Sequence, residues 1–101
     1  MILEIALIDI KEGLAQEFEA AVNKAAPLFK RARGCRSVVL ERSIESPLRY
    51  CLLVHWDTLE NHTIDFQKST DFLEWRKLVG HCFAAIPKVE HTTQALAFDL
   101  S

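Results

Sequence analysis

The spacing of apolar residues changes along this chain in a way that marks out its elements. Ile2 to Ile10 is a run of β-branched and aliphatic residues interrupted only by Glu4, Ala6 and Asp9, which predicts a strand with two apolar faces. Lys11-Glu12-Gly13 breaks it. Leu14, Phe18, Ala21, Val22, Ala25 and Phe29 then recur at helical spacing, so a first helix runs to about Arg33. Lys30, Arg31 and Arg33 suit its negative end, and Gly34 closes it. Pro27 bends this helix or starts its last, irregular turns.

Cys35 to Ser43 alternates as a second strand, Glu45-Ser46-Pro47 is a turn, and Leu48 to Trp56 is a third strand that completes a hairpin. Asp57 or Thr58 caps a short second helix, with Glu60 in the capping-box position if Asp57 is the cap. Leu59, His62, Thr63 and Phe66 follow the i, i+3, i+4, i+7 pattern, which turns His62 inward. Ser69 or Thr70 caps a third helix with the inward stripe Phe72, Trp75, Val79, Cys82, Phe83 and Ile86, weakened at Gly80 and stopped by Pro87. Val89 to Phe98 is a last, more polar strand. The order β-α-β-β-α-α-β is an α+β, ferredoxin-like plan: a four-stranded antiparallel sheet with helices on one face. Because strands 1 and 3 are apolar on both sides, the uncovered face predicts a homodimer packed sheet to sheet.

Composition narrows the classes. At 101 residues the chain is long enough for one domain, 1–101. Half of the residues are hydrophobic and 26% are charged, a globular balance. A net charge of −2 with no basic block argues against a nucleic-acid partner. No apolar stretch is long enough for a membrane span, and the N-terminus lacks signal-peptide character, so the expected location is cytoplasmic. Cys35, Cys51 and Cys82 are an odd set without CxxC spacing, read as free thiols.

Four features coincide along the chain: a third strand ending in Trp56, a short capped helix carrying His62, Lys68-Ser69 and Phe72 opening the next helix, and Pro87-Lys88-Val89-Glu90-His91 at the last strand. Together they resemble the antibiotic biosynthesis monooxygenase domain, a dimeric α/β-barrel family. The resemblance implies a cavity between sheet and helices for a hydrophobic or aromatic small molecule, oxidised by some relatives without metal or flavin, hence no cofactor. It implies His62 as the catalytic base, suited by an ordinary pKa near neutrality, with Phe66, Phe72, Trp75, Tyr50 and Arg76 around the substrate. The haem-degrading branch resembles this chain less. Strand 1 has no asparagine, Phe66 stands near that branch's tryptophan and Arg76 near its haem-ligating histidine. Asn61, Trp75 and Tyr50 are residue types of the polyketide-oxidising branch, without an established match.

Plainer roles compete with these. His62 is equally read as a core-edge histidine bonded to Glu4 or Asp65. Tyr50 and Trp56 suit packing, and Trp75 suits both packing and pocket lining. Arg76 is either a solvated side chain or a clamp for an anionic ligand. His55, His81, His91 and Cys82 show no spacing for a closed metal site, so no metal is expected; His91 is structural or at the dimer seam. Glu12, Glu17 and Glu19 form a solvated helix face. Two functions remain: a cofactor-independent monooxygenase for a small aromatic or quinol-type substrate, or a non-catalytic small-molecule-binding or dimerisation module.

Overall fold

The computed structural model describes all residues, 1–101. Its strands are β1 (Ile2–Asp9), β2 (Cys35–Arg42), β3 (Arg49–Trp56) and β4 (Lys88–Thr92), and its helices α1 (Ala15–Lys24), α2 (Ala26–Lys30) and α3 (Thr70–Val79). The strands make one antiparallel sheet in the order β2-β3-β1-β4, the expected ferredoxin-like arrangement with the helices on one face. Register then sets neighbours. Glu4 lies opposite Val54 on one side and His91 on the other, and Ala6 lies between Leu52 and Val89. Strand alternation puts Glu4, Ala6 and Ile8 on the helix-covered face, and all three are buried.

Aromatic rings join this face to the helices. Phe18 of α1 meets Tyr50 edge-on at 5.0 Å, and Phe29 of α2 meets Trp75 of α3 at 5.1 Å. Pro27 sits in the first turn of α2, where its missing N–H costs nothing, so the predicted single helix is two, broken at Ala25. Gly34 turns the chain at φ +77°; a Cβ there would stand 2.1 Å from Asn61 Oδ1. The opposite sheet face carries Ile5, Leu53 and Cys51, partly covered, with Leu7 and Val39 exposed.

Three expected elements differ. The second helix is mainly a π-helical turn, Asn61–Phe66, in which Gln67 N–H bonds to the His62 carbonyl. It starts with a reciprocal pair: Thr58 N–H donates to Asn61 Oδ1 and Asn61 N–H to Thr58 Oγ1. Asn61, not Glu60, therefore completes the box, and Asp57 instead holds Arg36. Its stripe is also narrower than predicted, since Leu59 is exposed while His62 and Phe66 are buried. Ser69 does cap α3, accepting from Phe72 N–H at 3.2 Å, but α3 ends at Val79 and passes into a 3-10 turn, Gly80–Cys82. The backbone bonds Lys11 N–H to Cys82 O and Ala84 N–H to Asp9 O pull this segment onto the end of β1, so Ile86 hangs exposed rather than lying on a helical stripe. Finally, β4 stops at Thr92 instead of Phe98. Thr92 already faces Leu3, so the antiparallel partner is almost exhausted. No helix is long and apolar enough to cross a membrane.

Candidate functional site

The early end of α3 leaves space beside the sheet: a cavity of about 500 Å³. Glu4, Ala6, Ile8 and Leu52 supply its sheet side; Phe72, Trp75 and Arg76 come from α3; and Phe83 to Pro87 form an irregular wall. His62 and Gln67 complete the lining with Gly80 and Val89. Ten of the 16 lining residues are hydrophobic, and Glu4, His62, Gln67 and Arg76 bring polar groups to the rest.

Glu4 is the buried charge in that lining, 6% exposed. Trp56 Nε1–H donates to its Oε1 at 3.0 Å, and His62 Nε2 faces the same oxygen at 3.3 Å. Oε2 makes no hydrogen bond, yet no buried side-chain oxygen lacks a partner, so Oε2 retains some accessible surface, and Glu4 is a lining residue of the cavity. Burial pushes the Glu4 carboxyl up to about 7, against the opposing Trp56 hydrogen bond. Burial, helped by the charge of His91, pushes His62 down to about 4. The pair therefore resists charge on both members: at pH 7 the imidazole is neutral and the carboxyl stands close to its midpoint.

His62 is held by a ring stack and by a hydrogen bond. Its ring stacks on Trp56 at 5.2 Å with 19° between planes, and its Nδ1 shares a 2.8 Å hydrogen bond with His91 Nε2. His91 takes Nδ1, while Nε2 lies 3.3 Å from Glu4 Oε1 without hydrogen-bond geometry and so keeps accessible surface. Of the two carboxylates considered as partners, Glu4 is the one that reaches it. Asp65 accepts from Asn61 Nδ2 at 3.1 Å.

Among the other expected pocket residues, Phe72, Trp75 and Arg76 share the cavity with His62. Arg76 lies 6.0 Å over the Phe72 ring and forms no ion pair. Phe66 and Tyr50 lie outside the lining. Phe66 sits behind it, against Phe29 at 5.2 Å and edge-on to Phe72 at 5.8 Å. Tyr50 donates its hydroxyl to Glu19 Oε2 while Arg42 covers its ring, so its phenol is committed elsewhere. Along the sequence Glu4 reads only as a possible partner for His62 and His91 as structural or at the dimer seam; the fold sets His91 Nε2 against His62 Nδ1. The available signal was parity, because Glu4 shares the alternation of Ala6, Ile8 and Ile10 on an otherwise apolar strand.

The sequence profile of the antibiotic biosynthesis monooxygenase family matches residues 1–78. An uncharacterised protein of Bacillus subtilis (strain 168), YczJ, is 42% identical over 91 residues, spanning 90% of this chain and 96% of YczJ. A Bordetella bronchiseptica structure, described as a candidate antibiotic biosynthesis monooxygenase, superimposes with a TM-score of 0.92 and 56% identity over 94% of this chain and 97% of that one. SnoaB, a cofactor-independent oxygenase of Streptomyces nogalater, has a TM-score of 0.81 over 95% of this chain and 94% of its own; at 16% identity it shows a shared fold. By the profile match over most of its length and its identity to YczJ and the Bordetella protein, the chain belongs to the antibiotic biosynthesis monooxygenase family.

Proposed function

We propose that this protein is a cofactor-independent monooxygenase that oxidises a small aromatic or quinol-type substrate with dioxygen, with Glu4 and His62 as its proton-accepting unit. The observation that carries this reading is a carboxyl lifted to about 7, one of its oxygens uncommitted, on the wall of a mostly apolar cavity. A general base works best when its pKa lies near the working pH. Glu4 Oε2 takes the phenolic proton, while neutral His62, steadied by His91, holds the other carboxylate oxygen in place. The phenolate then passes one electron to dioxygen, and the resulting superoxide and phenoxyl radicals join through a new C–O bond on the ring. Loss of water from that peroxide converts a ring C–H into a carbonyl, so that phenol and dioxygen give quinone and water. Phe72 and Trp75 offer faces for the ring, and the unpaired guanidinium of Arg76 suits an acidic substituent on it.

Oxygen uptake over a panel of quinols and phenols tests this reading. Wild-type protein consumes oxygen with a member of the panel, and Glu4→Gln and His62→Ala lose that uptake while keeping the fold. The alternative, a non-catalytic binding module, draws on the bond that commits His62 Nδ1 to His91. Quinols that raise the thermal midpoint without any oxygen uptake would favour it. We also infer a homodimer through the outer sheet face, where Leu7 and Val39 are exposed beside Ile5 and Leu53. Sedimentation of the wild type as a monomer at all concentrations refutes that part.

A further inference from the structure

A second cluster of chemistry-bearing side chains lies apart from the Glu4 pair. Glu17 of α1 and His81 and Cys82 of the 3-10 turn bring a carboxylate oxygen, an imidazole nitrogen and a thiol sulfur within 4.8 Å of one another. His81 Nε2–H donates to Glu17 Oε2, and Cys82 Sγ lies 3.5 Å from that nitrogen and 3.9 Å from that oxygen. The imidazole thus meets both partners with the same ring atom. A nucleophile–base–orienter relay would engage its two nitrogens separately. Three different donor types within reach of one another are instead suited to serve as a coordination set.

The dimensions suit a metal. Donors around tetrahedral zinc, with bonds near 2.0–2.3 Å, stand roughly 3.3–3.6 Å apart. Sulfur and nitrogen already have that separation, the 3.9 Å between sulfur and oxygen would have to close by a few tenths of an ångström, and the Glu17–His81 pair would open once the proton between them leaves. The backbone that carries two of the ligands is fixed: Lys11 N–H holds Cys82 O at 2.9 Å and Ala84 N–H holds Asp9 O at 2.8 Å. Cys82 is fully buried, whereas the side chains of His81 and Glu17 are about half exposed, which leaves a coordination position open to water.

We propose that Glu17, His81 and Cys82 bind a thiophilic divalent cation, zinc by the chemistry of its donors, with water as a further ligand. A thiolate and a carboxylate neutralise the dication, and sulfur with imidazole selects against magnesium and calcium. Glu17 stands 64 positions before His81, so no ligand spacing betrays the site along the chain. Gly80 and Phe83, on either side of the two turn ligands, both line the cavity. A bound cation would therefore tie α1 to the cavity wall.

Chelator-stripped protein titrated with zinc against a chromophoric competitor, and separately with cobalt, tests the site. Wild type binds one zinc per chain, its cobalt form shows a thiolate-to-metal charge-transfer band, and its unfolding midpoint rises with zinc concentration. His81→Ala and Glu17→Gln, both at exposed positions, each weaken zinc at least about tenfold. Cys82→Ser abolishes the cobalt band. Zinc affinity unchanged in His81→Ala and Glu17→Gln, a cobalt form without the thiolate band, or no zinc binding by wild type overturns the proposal.

Discussion

Two histidine–carboxylate pairs in this fold share their chemistry and differ in their surroundings. His62 and Glu4 have side chains 4% and 8% exposed, whereas those of His81 and Glu17 are 54% and 55% exposed. In the first pair burial outweighs mutual attraction, raising the acid and lowering the base until both favour neutrality. In the second, water screens the charges and the pair contributes little to folding. The difference teaches where to look for proton chemistry. A carboxyl held near neutral pH at a cavity is suited to accept a proton, while a solvated pair with a thiol beside it is suited to hold a cation.

The largest effect that sharpens this contrast is catalytic. Glu4→Gln keeps an acceptor for Trp56 but removes the base, so oxygen uptake should fall by roughly 10²–10⁴-fold, with the circular dichroism unchanged; near-wild-type uptake would falsify the assignment. Next comes stability against pH. Between its ordinary value of 4.5 and about 7, folded Glu4 keeps a proton that the unfolded chain has released, so rising pH lowers stability. Between about 4 and its ordinary 6.5, folded His62 lacks a proton that the unfolded chain holds, so rising pH raises stability. The two trends largely cancel in the wild type between pH 4.5 and 6.5. Glu4→Gln should leave stability climbing from pH 4 to 6.5, and His62→Phe should leave it falling from pH 4.5 to 7, each by at most about 3 kcal/mol. Urea denaturation at a series of pH values reads this directly, and slopes of the same sign in both variants would break the comparison.

Trp56→Phe tests the support of the buried pair. Removing the Nε1–H donor should cost about 1–3 kcal/mol. It should also move the acid limb of the activity profile to higher pH, because that bond holds the Glu4 carboxyl down. An unmoved acid limb would separate Glu4 from the proton step. The smallest effect belongs to the solvated pair. In metal-free buffer His81→Ala should change stability by about 0.5 kcal/mol or less, and a loss of several kcal/mol on chemical denaturation would show that the two pairs are not so different.

Much of this architecture was legible along the chain. Apolar runs and alternation placed the four strands, Pro27 marked the break between α1 and α2, Ser69 was one of two candidate caps for α3, and the family resemblance grouped Phe72, Trp75 and Arg76 with His62. What escaped depended on partners distant in sequence. The apolar stripe after Val79 reads as helix through Ile86, but backbone bonds to Asp9 and Lys11 compete with helix continuation at the low-propensity Gly80. Val89 to Phe98 reads as one strand, yet only as much of it pairs as β1 can face. Tyr50 and Phe66 are apolar-face residues by pattern, and packing sent one to Glu19 and the other behind Phe72.

The sequence by itself determined the elements, their order and the inward turn of His62, because hydrophobic periodicity is a local property that every residue carries. Only the tertiary structure decided which carboxylate meets that histidine, and that a cavity opens beside them. Glu4 and Trp56 are 52 residues apart, and their contact exists only once β1 lies against β3. The raised proton affinity of Glu4 follows from the same step, since a carboxyl's affinity for its proton depends on the water removed from around it, and folding alone removes that water.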